Sequence, residues 1–236
     1  MTPSRESSAE EVRTTEIKLN GTIMSNDDAE IMRWFGWNDN CCPADIESAM
    51  DGLPEGEEVT VWINSAGGDL FAGFDMYHAM KNAKGKTRAK ITTCAASAAT
   101  VAAMGCSVIE ADAASVICVH DPSCWASGAA ENLRKTANEL DTFKRSIMAT
   151  YRGRAKISDE EMWNLMQEDR WMNADEALEK GLIDKMSGEG QSGSVRIVNA
   201  GRPCFFPTDE MRERYRNAKG NERKCAAVYA EILAKM

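Results

Sequence analysis

The stretch VTVWINSAGGDLFAGFDMYHAM, residues 59–80, decides the fold. Its first part, VTVWIN at 59–64, has the β-branched and apolar residues of a buried strand. SAGG at 65–68 closes this strand, and a helical apolar pattern follows at once. The apolar positions of that helix are Phe71, Phe74, Met76, Ala79, Met80 and Ala83. A strand that passes through a glycine turn directly into a helix is typical of an α/β layer structure.

The same arrangement of strand, turn and helix occurs again downstream. ITT at 91–93 continues a strand that we expect to end at Cys94, and AASAATVAAMG at 95–105 predicts a buried helix of small residues. SVIEA at 107–111 and ASVICVH at 114–120 predict two more strands. Because strands alternate with helices, we expect an α/β fold with a mainly parallel sheet.

Further helices are predicted in the second half of the chain. A long amphipathic helix runs from about Ala129 to Arg152, and its apolar spacing leaves Phe143 and Lys144 as alternatives for one position. Another helix begins after Ser158, and DRWM at 169–172 leads into a helix that stops at Gly181. The predicted organisation is a disordered N-terminus over 1–14 and one α/β domain over 15–187. A flexible linker over 188–203 then leads to a helical C-terminal tail over 204–236.

Composition and charge exclude several classes of function. The chain has 28 Lys and Arg against 37 Asp and Glu, a net charge of −9, and lacks the basic footprint of a nucleic-acid binder. No apolar stretch reaches the roughly 20 residues that span a bilayer. The polar, acidic N-terminus does not have the apolar core of a secretory signal. We therefore expect a cytoplasmic protein that contacts neither nucleic acid nor membrane.

The cysteines and histidines do not indicate a metal site. Eight cysteines occur without the close regular spacing of a disulfide framework, and no C-x-x-C pair is present. With only two histidines in the chain, a structural zinc site is improbable. We expect no metal and no cofactor.

Two short segments could carry chemistry at a backbone turn. In INSAGGD at 63–69, a glycine pair between strand and helix can expose amides to a developing oxyanion; the alternative is an ordinary tight turn. In CAASAAT at 94–100, Ser97 lies at the first turn of the small-residue helix, and the Ala98 amide could be a second oxyanion donor. The alternative for Ser97 is the commoner role of an N-capping residue.

A third segment, VICVHDPS at 116–123, contains a candidate general base. His120 follows a buried strand, at the edge where α/β proteins bind their ligands. The other histidine, His78, lies inside an amphipathic helix and is expected to be a packing or surface residue. For His120 the alternative is a loop histidine without a catalytic role.

These segments together resemble the proteolytic subunits of Clp proteases. The resemblance rests on INSAGGDLFAGF at 63–74, AAS at 95–97, VHDP at 119–122 and EDRWMNADEALEKGLID at 168–184. GAAENLRK at 128–135 and Trp171-Met172 resemble more closely the phage and prophage members, the head maturation (prohead) proteases. The resemblance covers about 16–187 and implies a ClpP/crotonase-like fold of repeated β-β-α units, with the tail as a helical addition.

The resemblance also implies roles for individual residues. Ser97 is the expected nucleophile, His120 the general base, and Asp169 the carboxylate that orients the imidazole. Backbone amides of Gly68 and Ala98 are the expected oxyanion donors. The assignment of Asp169 rests on the resemblance alone, because the residues by themselves leave Asp121, Asp175 and Asp184 open as alternatives.

The function implied is a serine endopeptidase, either ATP-independent or coupled to an ATPase. Its expected substrate is a polypeptide, such as a capsid or scaffold protein cut in the cytoplasm of a bacterium or phage-infected host, and its expected partners are copies of itself in a ring and a Clp ATPase. Two alternatives remain: a crotonase-type acyl-CoA enzyme and a non-proteolytic assembly scaffold. The chain departs from the family where Ala66 replaces proline and Cys94-Ala95 replaces a glycine. Its residues 1–20 also lack the N-terminal segment of the ATPase-coupled members.

Overall fold

A computed structural model describes residues 14–187 and 206–220. Within these ranges the elements are β1 (Thr14–Ile23), α1 (Asn26–Trp34), β2 (Asn40–Cys41), α2 (Pro43–Asp51), β3 (Glu58–Gly68), α3 (Leu70–Lys81), β4 (Lys86–Ala96), α4 (Ala98–Ala103), β5 (Val108–Ala111), β6 (Val116–Val119), α5 (Ala130–Arg152), α6 (Asp159–Gln167), β7 (Arg170–Asn173), α7 (Ala174–Glu179) and β8 (Lys185–Met186). A further helix covers 209–220. The predicted disordered N-terminus lies outside the described residues apart from Thr14. The linker over 188–203 and positions 204–205 and 221–236 of the tail also lie outside them.

The described strands form one eight-stranded sheet. Its main path is β2-β1-β3-β4-β5-β8, and β6 pairs with the C-terminal part of β4. All of these pairings are parallel, and the remaining one, between β6 and β7, is antiparallel. The predicted mainly parallel α/β fold is confirmed. Because parallel strands end at one edge, the turns after β3, β4 and β6 lie close together.

The small residues of α4 allow close packing in the core. All six side chains from Ala98 to Ala103 are buried, and α4 contacts both β3 and α3. At Gly73 of α3, a Cβ would lie 3.0 Å from the Cβ of Ala98. Larger side chains at this crossing would push the helices apart, so the alanine-rich sequence fixes the position at which α4 begins.

Several elements differ from the predictions. β3 continues to Gly68, through the residues that were predicted to close it after 64. β4 continues to Ala96, so α4 begins at Ala98 and not at residue 95, because Ala95 and Ala96 pair with Ile117 and Cys118 of β6. RWMN at 170–173 forms strand β7, where only a lead into a helix was predicted. β7 has mostly exposed side chains and lacks the alternation of a half-buried strand, so its pairing with β6 could not be read from the pattern.

The helix over 209–220 packs against α1. Met211 contacts a small apolar cluster of Met24, Ala29, Met32 and Cys42. Arg212 pairs with Asp28, and Lys219 pairs with Glu30. The rings of Tyr215 and Trp34 meet edge to face at 5.8 Å. The described part of the tail is therefore a helix that docks on α1.

Two absences concern the described residues only. None of their helices is both long and apolar enough to cross a membrane. Nor do three or more His, Cys, Asp or Glu side chains within 14–187 and 206–220 gather in a way that could hold a metal ion.

Candidate active site

The glycine pair at the end of β3 brings its backbone against two neighbouring segments. Gly67 has φ +95°, and a Cβ there would lie 2.6 Å from the carbonyl oxygen of Ala96 and from the Cβ of Ser97. Gly68 has φ +149°, and a Cβ there would lie 2.1 Å from the carbonyl oxygen of Ile23. Both the positive φ and the lack of space require glycine, so these residues let β3 pass directly beside Ser97.

Ser65 fixes the approach to this turn. Its hydroxyl donates to the carbonyl oxygen of Gly21 at 2.6 Å and accepts from the amide of Gly67 at 3.0 Å. After the pair, the amide of Asp69 donates to Ile23 at 2.9 Å, and the Asp69 carboxylate caps α3. The turn is therefore held on both sides by hydrogen bonds from β1.

Ser97 adopts a backbone conformation that is unusual for a residue with a side chain. Its φ is 56° and its ψ is −127°, at the junction of β4 and α4. Such conformations cost on the order of 1–3 kcal/mol and are found at functional sites. The Ser97 amide donates to Cys118 at 3.1 Å, while its side chain makes no capping hydrogen bond. Although Ser97 stands at the N-cap position, its half-buried hydroxyl is unengaged within the described residues.

The first residue of α4 offers a free donor beside Ser97. The Ala98 amide precedes the first hydrogen bonds of the helix and donates to no partner in the described part of the chain. Beneath it, the hydroxyl of Thr100 contacts the Ser97 carbonyl oxygen at 2.6 Å and the hydroxyl of Tyr151 at 2.8 Å. Burial raises the pKa of Tyr151, so this phenol stays protonated and neutral under the serine. The Ser97 carbonyl oxygen is thus held by neutral hydroxyl groups, while the Ser97 hydroxyl and the Ala98 amide have no partner within the described residues.

His120 follows β6 and lines the same cleft as Ser97. Its Nδ1 lies 2.6 Å from the carbonyl oxygen of Asp121. Because a carbonyl oxygen only accepts, Nδ1 carries a proton, and in the neutral ring Nε2 is then an acceptor. This is the tautomer that a general base requires. Within the described residues, no hydrogen bond joins His120 to Ser97 or to Asp169.

Asp169 directly precedes β7, and His120 directly follows β6. The β6–β7 ladder ends with the pair of Val119 and Arg170, so both residues flank the same end of it. The amides of Asp121 and Asp169 both donate to the carbonyl oxygen of Met166, at 3.0 and 3.3 Å. Asp169 has φ 49° and an exposed side chain without a hydrogen bond to the described chain. Burial raises the pKa of Cys118 to about 12, and the charge of Asp169 adds to this rise, which places the carboxylate near β6.

A cleft of about 390 Å³ joins these segments. Its lining includes all of the predicted site residues except Asp169, namely Gly68, Ser97, Ala98 and His120. Apolar side chains from α3, α4 and α5 form much of the wall, and they include Leu70, Val101, Leu140 and Ile147. The site therefore combines a hydroxyl, an imidazole and backbone amides with an apolar groove.

Two aromatic residues of this wall were not predicted as site residues. Phe71 was interpreted as a core position of its helix, but it is 59% exposed and lines the cleft. It meets Phe143 of α5 edge to face at 5.4 Å. The α5 pattern left Phe143 and Lys144 as alternatives for the apolar position, and the structure buries Lys144 to 2% exposure. A phenylalanine three residues after the glycine pair was the only signal available. His78 is exposed on α3, as expected for a surface histidine.

Comparison with known proteins assigns the family. The model of the Clp protease family matches residues 49–189, which is more than half of the chain. The chain belongs to the Clp protease family. The matched region includes the glycine pair, Ser97, His120 and Asp169 in order.

Curated relatives of this Clp protease family member have the same description. An ATP-dependent Clp protease proteolytic subunit of Bacteroides fragilis is 29% identical over 139 residues, which are 58% of this chain and 67% of that protein. The corresponding subunit of Bacteroides thetaiotaomicron is 28% identical over 139 residues, 58% of this chain and 63% of the relative. ATP-dependent Clp protease proteolytic subunit 3, chloroplastic, of Arabidopsis thaliana is 26% identical over 213 residues, 85% of this chain and 64% of the relative. The matches thus span about two-thirds of the relatives' own lengths.

Proposed function

We propose that this protein is a serine endopeptidase in which Ser97 is the nucleophile, His120 the general base and Asp169 the orienting carboxylate. One observation carries the proposal. Ser97 has a positive φ and a hydroxyl that makes no capping hydrogen bond, and it lines the same cleft as a histidine whose Nε2 is available as an acceptor. Family membership favours this function over an acyl-CoA enzyme. Gly68 and Ala98, which line the same cleft, are the proposed oxyanion donors.

The proposed reaction is acyl transfer from a peptide to Ser97. The serine oxygen attacks the carbonyl carbon while its proton moves to Nε2 of His120, and the amides of Gly68 and Ala98 stabilise the oxyanion. His120 then donates the proton to the leaving amine. Water hydrolyses the acyl-enzyme by the same route, again with His120 as base.

Closing the triad requires a movement of the histidine ring. In the structure, Nδ1 donates to the Asp121 carbonyl oxygen and not to a carboxylate. We infer that in the reactive state the ring turns so that Nδ1 donates to Asp169 while Nε2 receives the serine proton. Because Asp169 lies one ladder step beyond Val119 and Arg170, this exchange needs no change in the sheet.

The cleft favours a polypeptide with an apolar side chain near the cut bond. Phe71 and Phe143 flank the groove, and together with Leu140 they offer apolar contact area. An extended peptide could lie along this wall with its carbonyl at Ser97. A capsid or scaffold protein as the natural substrate stays a prediction from the sequence resemblance.

Assembly into a ring of identical subunits is part of the proposal. The N-terminal half of α5 is exposed along its length, and Leu133 is 41% exposed there. Because the pattern of α5 is amphipathic, contact with a second copy would cover the apolar positions that the subunit itself leaves open. Dependence on a Clp ATPase and a role in phage head maturation also stay predictions.

Hydrolysis of a fluorogenic peptide with an apolar residue before the cut bond tests the proposal. The Ser97→Ala variant should lose at least about 1000-fold in kcat/KM and keep its thermal unfolding midpoint, because only one hydroxyl is removed. Ser123→Ala removes another hydroxyl from the same cleft, and Ser48→Ala removes one from the exposed face of α2. Both should stay within about twofold of the wild type. Retained hydrolysis in purified Ser97→Ala would overturn the assignment.

A further inference from the structure

Lys144 is a cation in the interior of the protein. It lies on α5 and is only 2% exposed. Its Nζ is 2.7 Å from a carboxylate oxygen of Asp121 and 3.8 Å from the centre of the Trp163 ring on α6. Neither Nζ nor that carboxylate oxygen completes a well-aligned hydrogen bond within the described residues. Their attraction is therefore one of charge over a short distance.

This arrangement is a poor way to stabilise a fold. Burying an ammonium group carries a large desolvation penalty, and ion pairs of this kind can often be replaced by apolar residues without loss of stability. Position 144 faces an aromatic ring and lies within a helix, where a methionine or leucine would pack well. The lysine therefore calls for an explanation other than stability.

Asp121 connects Lys144 to His120. The carboxylate of Asp121 pairs with Lys144, its amide donates to Met166 on α6, and its carbonyl oxygen accepts from Nδ1 of His120. A single residue thus ties the loop after β6 to two helices and to the imidazole ring. The ion pair with Lys144 therefore restrains the same loop residue whose carbonyl oxygen accepts from Nδ1.

We infer that Lys144 is a positioning residue for the general base, an inference that rests on the proposed function of His120. By holding Asp121 from α5, Lys144 keeps the carbonyl oxygen where it accepts the hydrogen bond from Nδ1–H. His120 then stays in the tautomer with Nε2 as acceptor before a substrate arrives. Lys144 acts through Asp121 and does not touch the reacting atoms.

The test compares Lys144→Met with Lys90→Met. Lys90 also lies over a tryptophan, with its Nζ 4.8 Å from the ring centre of Trp62, but it does not line the cleft. Since small misplacements of a catalytic group can lower rates by up to about 100-fold, Lys144→Met should lower kcat by about 10- to 100-fold with KM within about twofold. Its unfolding midpoint should change little, because the Asp121 carboxylate that is left is 39% exposed and can be solvated. Lys90→Met should leave kcat and KM unchanged.

Nitrogen NMR of the histidine rings supplies a readout that a merely structural role would not move. The chain has only two histidines, so His78 serves as the internal reference. In the wild type His120 should show a protonated Nδ1, and in Lys144→Met it should show a mixture of tautomers, with His78 unchanged. Asp121→Asn tests the ion pair with Lys144 from the other partner, in case Lys144→Met fails to fold. The Asp121 side chain is 39% exposed. It should lower kcat to a similar extent.

Two outcomes would overturn the inference. One is a folded Lys144→Met or Asp121→Asn protein with wild-type kcat. The other is an unchanged His120 tautomer in either variant. Active Ser97→Ala would instead contradict the proposed function itself, and wild-type kcat in Lys144→Met beside inactive Ser97→Ala would remove only the role of Lys144.

Discussion

The two halves of the candidate site are held in different ways. On the nucleophile side, Gly67, Gly68 and Ser97 have positive φ angles, and backbone hydrogen bonds from β1 and β6 fix them. On the base side, His120 and Asp169 flank the last pair of the β6–β7 ladder, and no hydrogen bond joins their side chains in the described chain. The nucleophile is therefore placed by the sheet, while the base depends on loop and helix contacts that can change without breaking the sheet.

The largest effect on kcat is expected from a substitution of Asp169, on the base side. Asp169→Asn keeps the shape of the side chain but removes the charge that would orient and stabilise the imidazolium. We expect kcat to fall by on the order of 1000- to 10000-fold, with little change in the free energy of unfolding, because the side chain is exposed and makes no hydrogen bond in the described residues. Peptide hydrolysis and chemical denaturation measure the two quantities.

Asp184→Asn is the matched control for Asp169→Asn. The Asp184 carboxylate accepts from the Ile109 amide at 2.7 Å and pairs with Arg154. Asp184 therefore stabilises the fold. Its substitution should lower stability and leave kcat of the folded fraction near the wild-type value. Equal losses of kcat in both variants would argue against a special role for Asp169.

A strong effect on folding is expected on the nucleophile side. Gly67→Ala places a Cβ 2.6 Å from the Ala96 carbonyl oxygen at φ +95°. Because the neighbour is backbone and cannot move cheaply, we expect the variant to lose about 2–4 kcal/mol of unfolding free energy and most of its activity. Denaturant unfolding with a parallel peptide assay provides the measurement.

Gly52→Ala provides the corresponding control. This glycine has φ −83°, and a Cβ there would make an ordinary contact at 3.6 Å with Ser48. Its stability should stay within about 0.5 kcal/mol of the wild type. Equal unfolding free energies of Gly67→Ala and Gly52→Ala would contradict the close approach of the glycine turn to Ser97.

The smallest effect is expected at the N-terminal ends of β3 and β4, where an ion pair joins Glu58 and Arg88. The hydrogen bond from Arg88 to Glu58, with Nε and Oε1 at 2.7 Å, lowers the pKa of Glu58. A lowered carboxyl pKa stabilises the folded state above the unfolded pKa of about 4.3, and this contribution is lost as the pH falls through the folded pKa.

Arg88→Met should therefore reduce the loss of stability on acidification. We expect the fall in unfolding free energy between about pH 6 and pH 3 to be smaller by ~0.5–1 kcal/mol in this variant, a value kept low because the pair is partly exposed. Arg134→Met removes an ion pair whose side chains are 71% and 87% exposed, and it should not change the pH dependence. The same slope in all three proteins would exclude a contribution from the Glu58 pair.

The sequence predicted the nucleophile side of the site better than the base side. Strand, glycine pair and helix are local features, so VTVWINSAGGD at 59–69 and the small-residue run after Ser97 predicted both turns. His120 could be proposed as the general base from the sequence because the chain has only two histidines. The mainly parallel sheet followed from the alternation of strands and helices, and it is confirmed.

The remaining features depend on contacts between distant segments. Strand β7 forms only because β6 is available as a partner, so RWMN has no strand pattern of its own. The residues alone could not choose Asp169, whose position relative to His120 is set by that same pairing. Lys144 was an alternative to Phe143 for an apolar position, and no local pattern reveals that it reaches Asp121.

The central claim is that Ser97 is the nucleophile of a serine peptidase, and covalent labelling tests it most directly. The purified full chain is treated with a fluorophosphonate, and the labelled residue is identified by mass spectrometry of proteolytic fragments. The account predicts a single adduct on Ser97, absent from Ser97→Ala, retained in Ser123→Ala and strongly slowed in His120→Gln. An adduct on Ser123, or peptide hydrolysis by a protein whose Ser97 stays unlabelled, would contradict it.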